Sequence, residues 1–342
     1  MSGNMSLTID GDKTVMDIVQ SIVYSDSLDE VDMVQVHLVP EITGDRSKLI
    51  AKLLPGAPFA VKLLDGSTEV TEHVGVVLEV HHRYLSGGRR SIQVIGVDNL
   101  HKLQYGAQEA TLWEASHDKI VSEIASRNGL TAKAEGVDTT PGFELQSNVS
   151  DAVFIARLAK RYNYYARVVD KELQFGRRQG QGAAVVVEAT DVIDMKLGSS
   201  LTDVVTSVTA YGSDYLSDEA FTGEAAASDL QKITGSDTGV GIAQSKLGKI
   251  PLVLNQTGLT TATALTALAK SEMQLRAERF VTGTVTVKGN PKAASGSLVD
   301  IKDLPWPFTG KFLIRQTRHI YEMGGGYRTA IDVSSDSLPK AS

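Results

Sequence analysis

Histidine is the most versatile chemical group in this chain. Seven are present, and their spacing limits what they can do. His81 and His82 are adjacent in a strand-like run, so their side chains point to opposite faces and do not easily share one ion. His37, His73, His101, His117 and His319 show neither the HxxxH nor the HxH spacing that brings two imidazoles onto a metal. Asp10-Gly11-Asp12 begins like a calcium loop, but KTVMDIVQS follows and the later ligands are missing, so a turn is expected. Asp214, Asp218 and Glu219 offer carboxylates of the kind used in glycan cleavage. They lie in a stretch that reads as a solvated acidic loop. Gly239-Val240-Gly241 lacks the third glycine and the preceding strand of a dinucleotide loop. There is no Walker loop or GxSxG elbow, and no spacing of Ser, His and Asp singles out a triad. The sequence therefore points to no catalytic, cofactor-binding or metal-ligating residue and to a protein that is not an enzyme. Interface residues are left unassigned.

Composition narrows the classes further. The chain has 342 residues, a net charge of -7, 42% hydrophobic residues and no cysteine. That length suggests two or three domains with enough apolar material for more than one core. The lack of cysteine removes disulfides, thiol catalysis and thiolate metal sites. An acidic balance argues against specific nucleic-acid binding, which needs a basic face. No apolar run reaches the roughly 20 residues of a membrane span. Met1 to Asp12 reads as polar, without the features of a signal peptide, which suggests folding in a cytoplasm. Asp10, Asp12, Asp17, Asp26, Asp29, Glu30 and Asp32 are set against Lys13 alone, which reads as a solvated acidic face or a docking face for a basic partner. Trp113 and Trp306 are the only tryptophans. Trp306 sits in the rigid loop Leu304-Pro305-Trp306-Pro307-Phe308, as a core cap or an interface anchor.

The elements that would position these residues are mostly strands. Gln20 to Tyr24, Met33 to Val39, Phe59 to Leu64, Val74 to Tyr84 and Ser91 to Val97 have strand chemistry, and Ser86-Gly87-Gly88 supplies a tight turn. The texture changes near Leu103. Ser116 to Arg127 is helical, with Ile120, Val121 and Ile124 as its stripe and Asn128-Gly129 as its stop. A second helix starts at the N-cap Ser150, and a hairpin turning at Asp170-Lys171 follows. Arg177 to Gly182 reads as a loop. Gly212 to Gly248, rich in Ser, Ala, Gly and Asp, reads as an excursion. A third helix spans Thr260 to Arg279, with Leu265, Leu268 and Leu275 inward and Lys270, Glu272 and Glu278 outward. Strands return over 280–287, 298–301, 311–321 and 327–333.

The two β regions echo each other. In the first, Pro55-Gly56 leads to a strand, Gly75 opens VVLEVHHRY, Ser86-Gly87-Gly88 turns and SIQVIGV returns. In the last, Gly296 leads to SLVDI, Gly310 opens KFLIRQTRHIY, Gly324-Gly325-Gly326 turns and YRTAIDV returns. If the echo is a duplication, three such chains around an axis present six similar modules, and a trimer can mate with a sixfold ring.

These segments resemble the phage late control protein D family, related to the baseplate hubs of contractile tails and to the N-terminal hub part of VgrG spike proteins. The likeness runs in order through SDSLDEVDMVQVHLV, IGVDNLHKLQYG, DKIVSEIASRNGL, the Gln146-x-Asn148-x-Ser150-Asp151 segment up to Gly176, GNPKAASGSLVDI and RQTRHIYEMGGGYRT. It implies a mainly β α+β protein with two related antiparallel β-barrel domains and an inserted small α+β domain. The expected bounds are 1–104, 105–198 and 199–342, with the excursion at 212–258 and the helix at 260–279. It also implies a homotrimeric structural hub of a virion tail baseplate, assembled in the host bacterial cytoplasm without a cofactor. Its expected partners are the tail tube protein, a separate spike, other baseplate proteins and the tape measure protein. VgrG-type chains continue into a needle whereas this sequence ends at Ser342, which is why the spike is expected to be another polypeptide. Two alternatives stand beside this one: a hub of a secretion-type or extracellular injection machine, and a tail-associated cell-wall hydrolase.

Overall fold

The computed structural model describes all residues except 1–2, 29, 41–46, 107, 136–143, 179–182, 215–218, 234–236, 256–258 and 340–342. The N-terminal stretch read as polar is a strand. Met5, Leu7 and Ile9 alternate and are buried, forming β1 (Gly3–Ile9). Asp10-Gly11-Asp12 is the expected turn, and Asp12 caps the short 3-10 helix Lys13–Ile18. Next come β2 (Val19–Ser27), β3 (Met33–Leu38), the short α1 (Ser47–Ile50), β4 (Pro58–Asp65), β5 (Thr68–Tyr84) and β6 (Arg90–Asp98). The β5–β6 turn uses left-handed Gly87 and Gly88 (φ 80° and 81°), which residues with a Cβ seldom adopt.

An inserted unit follows: β7 (Gln108–Trp113), α2 (His117–Arg127), β8 (Thr131–Ala134), β9 (Glu144–Val149), α3 (Asp151–Arg161), β10 (Tyr164–Val169) and β11 (Glu172–Arg177). Ile120, Val121 and Ile124 of α2 meet Phe154 and Leu158 of α3 and Leu173 and Phe175 of β11 in a core of their own. The Gln-x-Asn-x-Ser-Asp segment is the clasp of this unit. Ser150 caps α3 by accepting from Val153 N–H, and Asn148 takes a left-handed turn (φ 55°). Buried Gln146 donates to Asp151 at 2.8 Å, while Arg127 and Asn128, from the end of α2, also donate to Asp151. Burial opposes ionisation of Asp151, but these hydrogen bonds hold its carboxyl below the usual range.

The chain then returns to the sheet through β12 (Val185–Val187) and β13 (Val192–Ser199). These residues, grouped with the insert in the expected bounds, instead join the C-terminal strands, because β12 pairs with 299–301 and β13 with 281–287. The expected excursion is itself structured. After β14 (Ser207–Asp214), which runs into it, come β15 (Glu219–Ala226), α4 (Gly239–Lys246) and β16 (Pro251–Asn255), with β14 central in a three-stranded sheet. α5 (Ala262–Ala277) lies on this sheet. Gly223 permits the close approach, since a Cβ there would sit 2.1 Å from Thr266 N. Leu265 is inward as expected, but Glu278, expected outward, is fully buried and accepts a hydrogen bond from Gln274. Last come β17 (Val281–Lys288), β18 (Leu298–Ile301), β19 (Gly310–Glu322) and β20 (Gly326–Ser335).

The first and last strand sets repeat one plan. In the N-terminal half the ladder runs β2-β3-β6-β5-β4. In the C-terminal half it runs β13-β17-β20-β19-β18. The irregularities repeat too. β2 and β13 each carry a bulge at their second residue, Gln20 and Ile193, and β5 and β19 carry one at Leu78 and Arg315. The registers then close independently. His37 pairs with Ser21, the first residue past the β2 bulge, and with Gln93, which faces the third residue past the β5 bulge. Thr286 pairs with Asp194 and Ala330, which stand in the same two relations to the other bulges. Counted from the bulges, Gly75 matches Phe312 rather than Gly310. The two halves share one 12-stranded sheet, joined where β2 pairs with β19, and each half has its own core.

Replacing Asp151 removes the clasp acceptor and leaves Gln146 and the end of α2 without it. Asp151→Ala is expected to cost about 2–3 kcal/mol in chemical denaturation, the scale for stripping one partner from a buried charged network.

Candidate functional site

The junction of β2 and β19 brings buried polar side chains together. Seven residues of each strand pair, from Ser21 opposite Glu322 to Ser27 opposite Gln316. On β2, Ile22, Tyr24 and Asp26 share the inward parity and are buried. Tyr24 faces His319 across the ladder, with the rings 6.3 Å apart. Tyr24 OH donates to Asp32 Oδ2 at 2.9 Å and lies 2.7 Å from His73 Nδ1. Asp26 accepts from both Ser295 N and Ser295 Oγ at 2.6 Å. His319 Nδ1 meets Tyr327 OH at 2.7 Å, and its Nε2 lies 3.2 Å from the carbonyl of Ala293.

The insert reaches the same place. Arg167 donates to the carbonyl of Ser295, the residue that holds Asp26, and Asn99 donates to the carbonyl of Asp170. Between them lies a cleft of about 180 Å³, bounded by Tyr24, Asp26, Asp32, His73, Asp98 and Arg167. The first half, the second half and the insert therefore converge on one buried polar cluster.

Burial sets its electrostatics. It raises Asp32 well above the carboxylate range, helped by the charges of Asp26 and Asp98. It raises Asp98 to about 7, against hydrogen bonds from backbone N–H groups. It lowers His319 to about 4 and lowers His73, with Asp26 opposing both shifts. Burial thus favours the uncharged imidazoles of His319 and His73, both hydrogen-bonded, and the protonated form of Asp32. The cluster joins three parts of the chain through matched donors and acceptors.

The other candidate residues do not converge here. His37, His81 and His82 are exposed, and His81 lies 2.9 Å from Glu79. His101 meets the carbonyl of Asp98, and His117 is buried beside Glu144. Among the described residues, no three His, Cys, Asp or Glu side chains are placed to hold a metal. Asp214 and Glu219 are backbone register partners at the end of the β14–β15 hairpin, and Asp218 lies outside the described residues. Gly239-Val240-Gly241 starts α4, capped by Thr238. Trp113 is buried against Phe154, whereas Trp306 is 49% exposed and donates to the carbonyl of Pro339. The sequence reading missed the seam because it counted Asp26 and Asp32 among the surface acids. The available signal was the alternation Ile22, Tyr24, Asp26, which places Asp26 on the inward face.

Solved structures share this architecture. The 43 kDa tail protein of prophage MuSo2 from Shewanella oneidensis aligns with a TM-score of 0.71 at 15% identity, covering 99% of this chain and 100% of that one. The tail protein from Neisseria meningitidis MC58 aligns at 0.69 and 13% identity, covering 98% and 97%. A type VI secretion component of E. coli, described as similar to T4 bacteriophage tail proteins gp27 and gp5, aligns at 0.61 and 11% identity, covering 98% and 79%. The fold is that of tail proteins, mainly β with few helices. By sequence, the chain belongs to the family described as the Alg8 N-terminal domain, whose model matches residues 6–322. Among curated proteins, none matches the sequence. Among the described residues, no helix is long and apolar enough to cross a membrane.

The two buried titrations have opposite signs. Asp98 is raised from 3.8 to about 7 when folded, so its contribution is most favourable below pH 4 and is lost as pH rises towards 7. His319 is lowered from 6.5 to about 4, so its contribution is full above pH 6.5 and is lost as pH falls towards 4. The spans are worth at most about 4 to 4.5 kcal/mol for Asp98 and about 3 to 3.5 kcal/mol for His319. Urea denaturation from pH 4 to 8 should show His319→Gln flattening the acid-side loss and Asp98→Asn flattening the loss on raising pH. Curves parallel to the parent would exclude both assignments.

Proposed function

We propose that this chain is the structural hub of a contractile tail, a homotrimer whose two sheet modules imitate sixfold symmetry. The supporting observation is the repeated strand order, with its repeated bulges, within one chain. Three chains would offer six like modules to a hexameric tube, and a threefold partner would see features that occur once per chain. The resemblance to the late control protein D family supports the same reading, as does the tail-protein fold. In this reading the insert and the β14–α5 region are the once-per-chain features, suited to a trimeric spike and to other baseplate proteins. The working state is a virion tail baseplate. The fold shared with a type VI secretion component favours a second setting for the same role, the hub of a secretion-type machine. The role is mechanical in both, with no catalytic step.

The mass of the purified protein in solution tests this reading, alone and with its spike partner. The expected particle contains three 36.6 kDa chains. A strict dimer under both conditions would overturn it.

A further inference from the structure

The internal joint of this molecule contains a pattern for an external one. β2, the first strand of the first module, gives its free edge to β19, the long strand of the second. The joint begins one residue past each bulge, at Ser21 on β2 and at Gln316 on β19. The corresponding edges of the other pair are open. β13, the counterpart of β2, pairs with β17 and with no other strand among the described residues. β5, the counterpart of β19, pairs with β4 only as far as Val76, so its stretch 79–84 has β6 on one side and no described strand on the other. Exposure follows the same division. Tyr24 and His319 are 2% and 1% exposed, whereas at the same distances past the bulges His82 on β5 is exposed and Leu197 on β13 is half-buried. Open strand edges are templates for another chain.

We infer that β13 of one chain pairs antiparallel with residues 79–84 of β5 in the next copy, in the register of the β2–β19 joint. This rests on the hub reading and supplies the contact between its subunits. Transferred from the bulges, the register sets Val80 opposite Ser199, His81 opposite Gly198, His82 opposite Leu197, Arg83 opposite Lys196 and Tyr84 opposite Met195. His82 takes the place of His319, and Leu197 takes that of Tyr24. The arrangement is head to tail, so it closes into a ring or extends without limit. Arg83 and Lys196 form a like-charge pair that weakens the joint, with Asp194 diagonal to Arg83. The occupant is a second copy because the same chain already makes this joint once with itself.

The absence of cysteine allows a clean crosslinking test. The double variant His82→Cys, Leu197→Cys should form covalent oligomers up to the ring size on a non-reducing gel. His82→Cys, Lys196→Cys should not, because a one-residue slip turns the side chain to the other face. Charge reversal provides a test without crosslinking. Lys196→Glu should tighten self-association several-fold by sedimentation, and adding Arg83→Glu should return it towards the parent. A trimer that neither crosslinks at this pair nor responds to Lys196→Glu would overturn the pairing and leave the hub reading standing. Absence of any trimer would overturn the hub reading itself.

Discussion

The structure depends on the ladder between β2 and β19. Without it the chain would be two curved sheets with separate cores and a tether. With it the strands form one continuous sheet, and the position of one module fixes the other. The seam is an unusual place for charge. Asp26, Asp32 and Asp98 are all buried there, and buried carboxylates are costly unless hydrogen-bonded or protonated. This seam uses both remedies. Asp26 takes two short bonds from Ser295, and burial pushes Asp32 towards its protonated form while it accepts from Tyr24 OH. An apolar seam would let the strands slide by two residues with little loss. Matched donors and acceptors penalise every register except one.

The repeated strand plan shows how such a seam is available within a single chain. Both modules use the same strand order and the same bulges, so each offers one first-strand edge and one long-strand edge. One pairing consumes an edge from each module and leaves the complementary edges open. The modules differ in their additions. The first module turns directly from β2 to β3, whereas the second carries β14, β15, α4, β16 and α5 between β13 and β17. The insert occurs once, between the modules, and touches the seam through Arg167. Sheet geometry is therefore repeated while surface decoration is not.

The recognisable sequence segments are mostly structural. Gln146, Ser150 and Asp151 tie the end of α2 to the start of α3 with a small set of hydrogen bonds. Gly87 and Gly88 turn a hairpin that few other residues could turn. Such motifs identify a fold without identifying a reaction, and the histidines follow the same rule: His319 is a buried hydrogen-bonding core residue, and His82 lies at an open edge.

By itself the sequence determined the strand and helix segments with strong periodicity, the three main helices, the turn glycines and the echo between the halves. These follow from local side-chain spacing, which acts within a few residues. It misjudged β1, the strands within 212–258 and the side to which 185–198 belongs. In each case the deciding partner lies far along the chain: β4 for β1, α5 for β15, and β17 and β18 for β13 and β12. Only the tertiary structure decided the seam. Asp26 and Asp32 look like neighbouring surface acids until β19 and Ser295 close over them, because burial is a property of what packs above a residue and not of the residues beside it.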